Sequence, residues 1–226
     1  MCGRYNLNFS NPERFKERFE IEGELPRIEF QTRANISPGQ VLPVVVSHSP
    51  NSVEMMVWGL VPFWEEKKDK PKSLINVRDD TLQSKPWAHR YLQFSRCLVP
   101  ASGFFEWQTQ GAGKQPFNFR LKTGEYFGFA GLYSTYTHPK TGDEVKSYTI
   151  ITTAPNDLLS PIHNRMPVIL RQEDEAAWLD PDTVEVEQLS QFLKPYSAEE
   201  MEGYVVDKRI GNPANDDPRL LVPLSE

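Results

Sequence analysis

Short runs in which apolar and polar residues alternate, or in which β-branched and aromatic residues dominate, recur along the chain between prolines, glycines and asparagines. This pattern predicts strands over Val41 to His48, Val53 to Leu60, Cys97 to Val99 leading into Phe104 to Trp107, Phe117 to Leu121, Tyr126 to Tyr136 and Val145 to Thr153. Helical signals are fewer. Asn11-Pro12-Glu13 offers an N-cap, a proline for the first turn and an acid at the positive end of the helix dipole, after which Phe15 and Phe19 fall on one face. Glu173 to Leu179 and Val186 to Leu193 are two further candidates. The sequence contains no internal repeat, low-complexity tract or linker-like stretch. The expectation is a single domain over residues 1–226, α+β in class and β-rich, with a mainly antiparallel, barrel-like sheet flanked by short helices.

Composition narrows the function classes. The chain has 226 residues, 38% of them hydrophobic, enough to bury a substantial core. No stretch approaches the roughly 20 apolar residues of a membrane span, and the N-terminus lacks the hydrophobic run of a signal peptide, so a soluble, cytoplasmic protein with no membrane partner is expected. Two cysteines, Cys2 and Cys97, are too few for a disulfide framework. The four histidines, His48, His89, His138 and His163, are scattered without CxxC or HExxH spacing, so neither a metal nor another cofactor is expected. The chain is expected to act as a monomer.

A net charge of -6 argues at first against a nucleic-acid partner. Its distribution softens that objection. Residues 1–124 hold 17 Lys and Arg against 13 Asp and Glu, whereas the remainder holds 8 against 18. A basic face can therefore form from the N-terminal half, with the acidic C-terminal segments expected to face elsewhere. The densest basic run, Lys67-Lys68-Asp69-Lys70-Pro71-Lys72, has by itself the character of a solvated loop.

Five polar residues carry candidate chemistry. Cys2 follows the initiator methionine, and removal of Met1 gives one residue both a thiol, of reference pKa about 8.5, and an α-amine, of reference pKa about 7.7 to 8.0. Such a 1,2-aminothiol captures aldehydes, first as a Schiff base and then as a five-membered thiazolidine. Position alone is weak support, because cysteines near chain ends are commonly ordinary small residues. Glu106, in Gly103-Phe104-Phe105-Glu106-Trp107, sits where a buried carboxylate would have a raised pKa suited to proton transfer, although strand alternation equally allows it to face water. His163 lies in a proline-bracketed loop, Ser160 to Pro167, and Asn76 and Arg78 share one face if extended.

Seven segments, in this order, carry a more specific signal: Met1-Cys2-Gly3-Arg4-Tyr5, Arg33-Ala34-Asn35-Ile36-Ser37-Pro38-Gly39, Trp58-Gly59-Leu60-Val61-Pro62-Phe63-Trp64, Ile75-Asn76-Val77-Arg78, Gly103 to Trp107, Phe129-Ala130-Gly131-Leu132-Tyr133 and Ile162-His163-Asn164-Arg165-Met166-Pro167. Together they resemble the SOS response-associated peptidase (SRAP) family of abasic-site processing proteins, across essentially the whole chain. The resemblance implies a cleft for single-stranded DNA and a covalent crosslink from Cys2 to the aldehyde of an abasic site. It implies that Asn76 positions the reacting groups, that Glu106 is a general acid/base and that His163 handles protons at the opened deoxyribose. It further implies that Arg4, Arg78 and Arg165 bind phosphates, while Asn35, Pro38, Trp64 and Trp107 shape the cleft or stack on bases. Three phosphate contacts correspond to a slope of log affinity against log salt near -2.

The chain departs from the family pattern at Asn164, where an acid commonly follows the histidine, and at Asp80, where a glutamate is common. Two other function classes stay open at this level. Cys2, His163 and Asn76 contain the residue types of a thiol peptidase triad. A noncatalytic single-strand binding module would use the aromatic and basic residues but leave Cys2 and Glu106 unexplained.

Overall fold

The structure, a computed structural model, describes residues 2–9, 11–26, 31–47, 50–68, 70–111 and 113–224. Met1 and His48 lie outside the described residues. In chain order the elements are β1 (Tyr5–Asn8), α1 (Pro12–Arg18), β2 (Thr32–Ile36), β3 (Val41–Ser47), β4 (Asn51–Trp58), β5 (Asn76–Arg78), α2 (Asp79–Ser84), α3 (Pro86–Phe94), β6 (Arg96–Ala101), β7 (Gly103–Gln110), β8 (Gly113–Leu121), β9 (Phe127–Thr137), β10 (Glu144–Thr153), β11 (Met166–Pro167), α4 (Gln172–Leu179), α5 (Val186–Ser190) and β12 (Met201–Val205). Short 3-10 turns follow at Ala198–Glu200, Lys208–Gly211 and Pro218–Leu221.

Five strands close on themselves. β3 pairs with β4 and β6, β6 with β9, and β10 completes the ring by pairing with β9 antiparallel and with β4 parallel. A second, five-stranded sheet runs β12-β8-β7-β1-β2. The segment from Cys97 to Trp107 is divided between them: β6 ends at Ala101 in the barrel, and β7 begins at Gly103 in the second sheet. The fold is thus the expected β-rich α+β domain, with one parallel seam in an otherwise antiparallel barrel.

Aromatic residues join the two layers. Tyr5 of β1 meets Trp58 and Phe129 of the barrel edge-on, with ring centroids 5.2 and 5.9 Å away. Its hydroxyl shares a 2.8 Å hydrogen bond with that of Tyr148, satisfying two polar groups that burial would otherwise penalise. Phe104 of β7 bridges in the same way, stacked on Phe119 and edge-on to Phe129. On the other face of the second sheet, Phe105 forms a smaller cluster with Val206, Ile210 and Leu220 from the C-terminal segment.

The helices clamp this body from outside. Asn11 caps α1 by accepting from the Arg14 N–H at 3.0 Å, and Phe15 and Phe19 bury the predicted face. Arg18 then forms a two-pronged ion pair with Glu175 of α4, at 2.7 and 2.8 Å. The pattern of apolar positions misses α2 and α3 because Ser84-Lys85-Pro86 interrupts their periodicity. It also misses β1, β2 and β5, where Asn6, Asn35 and Asn76 stand at strand positions and mask the alternation. Among the described residues no helix is long and apolar enough to cross a membrane, and no three His, Cys, Asp or Glu side chains gather as a metal site.

Gly131 marks the tightest point of the barrel wall. A Cβ there would stand 2.8 Å from Cys97 Sγ, 2.9 Å from Val99 Cγ2 and 3.2 Å from the Thr149 carbonyl. Gly131→Ala is therefore expected to lower stability by about 1–3 kcal/mol through overpacking, read as a lower urea midpoint. An unchanged midpoint would show that β6 and β9 can separate at no cost.

Candidate active site

β10 outruns its barrel neighbours. Its pairing with β4 ends at Tyr148 and with β9 at Ile150; beyond these, Ile150 to Thr152 pair in parallel with Asn76 to Arg78, and Thr152 and Thr153 pair with Pro167 and Met166. The barrel mouth is thereby widened by two short strands, one on each edge of β10. One carries Asn76. The other is preceded by the loop holding His163 and Arg165. That loop is braced by its own turns: Asn156 Oδ1 accepts from Leu159 N–H at 3.1 Å, and the Leu159 carbonyl accepts from the N–H groups of Ile162 and His163 at 2.8 and 2.9 Å.

The chain's first residues run past this mouth beside β7, where Phe105 N–H donates to the Arg4 carbonyl at 3.0 Å. Cys2 is fully buried, its Sγ 3.7 Å from the Arg4 carbonyl. Asn76 Nδ2 donates to the Cys2 carbonyl at 2.8 Å, while Asn76 Oδ1 is buried and has no hydrogen-bond partner among the described residues. Strand alternation turns Glu106 toward the barrel with Phe104, and it is 3% exposed. Its Oε1 lies 3.9 Å from His163 Nδ1. Of the two orientations the sequence allows for Glu106, the structure takes the buried one.

Burial sets the electrostatics of this group. Desolvation pushes the Glu106 carboxyl up to about 7, so near neutrality it exists in both forms. Burial, and then the Glu106 charge, push the Cys2 thiol well above its ordinary range. Burial lowers the His163 pKa, against a smaller opposing effect of its hydrogen bond with the Arg165 backbone. His163 is therefore neutral at pH 7. His163 Nδ1 lies 3.1 Å from the Arg165 N–H and 3.0 Å from the Arg165 carbonyl, so it accepts from one or donates to the other according to the tautomer.

The structure gathers Cys2, Asn76, Glu106, His163 and Arg165 and distributes the other expected contacts more widely. Arg4 donates to Asn35 Oδ1 at 2.7 Å and to the carbonyls of Ile210 and Gly211 at 3.2 Å each; among the described residues it has no carboxylate partner. Arg78 is exposed and ion-paired with Asp80, and Arg165 is mostly buried and ion-paired with Asp79 at 2.7 Å. Pro38 is exposed in a turn closed by the Gln40 N–H on the Ser37 carbonyl, with Gly39 at φ +88°. Trp64 is 43% exposed and meets Phe63 and Trp87 edge-on, with centroids 5.0 and 4.9 Å away.

Three expectations change. Asn35 is fully buried, and its Nδ2 donates to the carbonyls of Ile210, Asn212 and Asn215, each at 2.9 Å, so it fastens the C-terminal segment. Trp107 lies on the opposite face of β7 from Glu106, packed against the cluster around Phe105, because successive strand side chains alternate. The acidic C-terminal segment also lies close to the N-terminal residues and not away from them, with Asp216 accepting from Arg33 at 2.6 Å. Asp79 went unnoticed in the sequence. Its one visible signal is a second acid beside Asp80 at the start of α2.

Glu106 makes the fold sensitive to pH in a defined direction. From about 4.5, its ordinary value, to about 7, the folded protein holds a proton that the unfolded chain has released, so stability falls as pH rises through that window and levels off above it. Relative to Glu106→Gln, wild type should lose about 3 kcal/mol between pH 4.5 and 8, measured by urea denaturation at each pH. A pH-independent difference between the two proteins would mean that Glu106 is solvated.

Comparisons with known proteins place this constellation. The family model described as SOS response associated peptidase (SRAP) matches residues 1–213. The abasic site processing protein YoqW of Bacillus subtilis (strain 168) is 38% identical over 223 residues, covering 98% of this chain and 99% of that protein. The abasic site processing protein HMCES of Gallus gallus is 35% identical over 193 residues, covering 75% of this chain and 56% of that protein. A crystal structure of a protein from Bacteroides thetaiotaomicron superposes with a TM-score of 0.88 at 27% identity, covering 99% of this chain and all of that one. With the family match running over residues 1–213 and a relative 38% identical along nearly the whole chain, the chain belongs to the SOS response associated peptidase family.

Proposed function

We propose that this protein processes abasic sites in single-stranded DNA by forming a thiazolidine crosslink between Cys2 and the ring-opened deoxyribose. The observation that carries the reading is a carboxyl of pKa about 7, 3% exposed, beside a buried cysteine and a neutral histidine. Relatives named for abasic site processing over nearly the same length support the substrate class. Removal of Met1 is part of the proposal, because the chemistry needs a free α-amine on Cys2.

The reaction balances on the residues present. The Cys2 amine adds to the aldehyde carbon, forming a C–N bond, and a proton moves from nitrogen to the former carbonyl oxygen. Glu106 in its acid form protonates that hydroxyl, which leaves as water and gives the protonated imine, with Glu106 now a carboxylate. The thiol sulfur then adds to the carbon of the protonated imine and its proton passes to the Glu106 carboxylate, which restores the acid. The sum is amine, thiol and aldehyde to thiazolidine plus one water. A thiol whose pKa is raised by burial keeps its proton at pH 7, so ring closure calls for a neighbouring base, and Glu106 is ionised in part at that pH. Asn76 fixes the Cys2 carbonyl, and its unfilled Oδ1 is an acceptor for the amine or a sugar hydroxyl. His163, with Nδ1 3.9 Å from Glu106, serves the deoxyribose oxygens in proton transfer.

The thiol peptidase reading fares less well. A nucleophilic cysteine paired with histidine has its thiol pKa lowered, and both shifts here run the other way. A plain binding module gives no reason to bury Glu106 where its charge is disfavoured. Intact-mass measurement should show Met1 absent and, with an abasic oligonucleotide, an adduct heavier by the strand less one water. Glu106→Gln should slow crosslinking by roughly 10²- to 10⁴-fold while binding to intact single strand changes little. Crosslinking at the wild-type rate by that variant, or by one with a bulky residue inserted after Met1, would remove the mechanism.

A further inference from the structure

Of the three arginines expected at phosphates, Arg78 and Arg165 each face a carboxylate, whereas Arg4 among the described residues faces only neutral oxygens. Its Nη1 donates to Asn35 Oδ1 at 2.7 Å and to the Ile210 carbonyl at 3.2 Å, and its Nη2 donates to the Gly211 carbonyl at 3.2 Å. A guanidinium has five N–H donors, so these three bonds leave one on Nε and one on Nη2, and no described residue accepts from either. Two N–H groups on adjacent nitrogens are what a phosphate takes in a bidentate contact. The cradle of oxygens thus fixes the head of Arg4 while leaving it charged and open along one edge.

The loop that supplies the cradle is pinned at both ends. Internally it uses its own N–H groups, Asn212 on the Arg209 carbonyl at 3.1 Å, Ala214 on Asn212 Oδ1 at 3.1 Å and Asn215 on the Asn212 carbonyl at 3.0 Å, so the carbonyls of Ile210, Gly211, Asn212 and Asn215 are left for Arg4 and Asn35. Ile210 anchors its near end in the cluster around Phe105. Asp216 anchors the far end. β2 is the edge strand of the second sheet, and Asp216 lies along it, with Oδ1 accepting from the Asn35 N–H at 2.8 Å and Oδ2 from Arg33 Nε at 2.6 Å. The neighbouring acids Asp207 and Asp217 pair instead with Arg209 and Arg219 of their own turns. Asp216 therefore holds the backbone of Asn35, whose side chain in turn holds both the loop and Arg4. Arg33 has a second partner in Gln40 Oε1 at 3.0 Å, which retains it when Asp216 is removed.

We propose that Asp216 is a positioning residue for DNA binding, which acts through Asn35 and the loop of residues 210–215 to hold Arg4 with its open edge toward a phosphate of the strand. The inference rests on the single-strand reading above. Its sign is opposite to that of charge alone. An acid close to a DNA cleft repels phosphate, so its loss ordinarily tightens binding. Loss of Asp216 instead loosens the cradle and removes one phosphate contact. With Arg4, Arg78 and Arg165 each contributing about -0.7, the slope of log affinity against log salt is about -2.1 for wild type and about -1.4 once Arg4 is no longer held.

The test is the salt dependence of binding to an abasic-free oligo(dT) strand by wild type, Asp216→Ala, Arg4→Gln and the double variant. Asp216→Ala should bind more weakly and flatten the slope, so that a fourfold rise in salt costs it about 7-fold in affinity where wild type loses about 18-fold. Arg4→Gln should have the same slope, and the double variant should be no flatter than Arg4→Gln, because both changes remove one and the same contact. Urea midpoints show whether each variant is folded. If Asp216→Ala is not, Asp216→Ser takes its place with the same expected slope, since the hydroxyl keeps a polar atom at the edge of β2 but is too short to hold Asn35 and Arg33 together. Tighter binding by the Asp216 variant, a slope unchanged from wild type, or a further flattening to about -0.7 in the double variant would each overturn the proposal. Failure of wild type itself to bind oligo(dT) brings down the single-strand reading, an outcome distinct from equal slopes in wild type and the Asp216 variant.

Discussion

The extra length of β10 is the constraint on which the rest of the site depends. A closed barrel needs each strand paired on both edges, and β10 satisfies this with β4 and β9 only over its first part. Past Ile150 its backbone groups still require partners, since unpaired N–H and C=O groups are costly once buried. β5 and β11 provide them. Segments that lie nearly ninety residues apart are thereby set on either edge of one strand, with Asn76 and His163 at fixed separation and without a dedicated catalytic loop of great length. The arrangement places the site on ladder geometry, where side-chain positions are more exact than on free loops.

The same opening explains the electrostatics. The mouth is walled by Tyr5, Trp58 and Phe104, so polar groups placed there lose water and gain few compensating partners. Desolvation drives the acid and the thiol upward and the imidazole downward, each toward its neutral form. A cluster built this way stores readiness for proton movement in place of fixed charge, which suits a reaction that both takes up and releases protons along its course.

How much of this was legible in the sequence depended on what each residue had to bury. The barrel strands β3, β4, β9 and β10 are apolar enough to announce themselves, and their predicted limits differ from the observed ones by about two residues or fewer at each end. β1, β2 and β5 are silent because each carries an asparagine whose amide is spent inside the protein: Asn6 on Asn118, Asn35 on three carbonyls and Asn76 on Cys2. The candidate group at the barrel mouth was legible because its motifs are specific even when their spacing is not. Arg165 was legible as an arginine but not as an ion pair, since its partner Asp79 depends on which edge of β10 each segment joins. Trp107 and Asn35 show the converse, in which a motif residue turns out to support the framework.

The fastening of Arg4 carries a consequence for synthesis. Arg4 and Asn35 are held by the carbonyls of residues 210–215, and β1 is enclosed by β7 and β2. Arg4 and Ile210 are separated by 206 positions in the chain. At about 5–20 residues per second that interval is on the order of 10–40 s of translation, during which the start of the polypeptide has left the ribosome and its final anchor does not yet exist. Cys2 thus completes its surroundings only once residues 210–215 have been made, so a chain that stops short of them presents its thiol outside the setting that later encloses it.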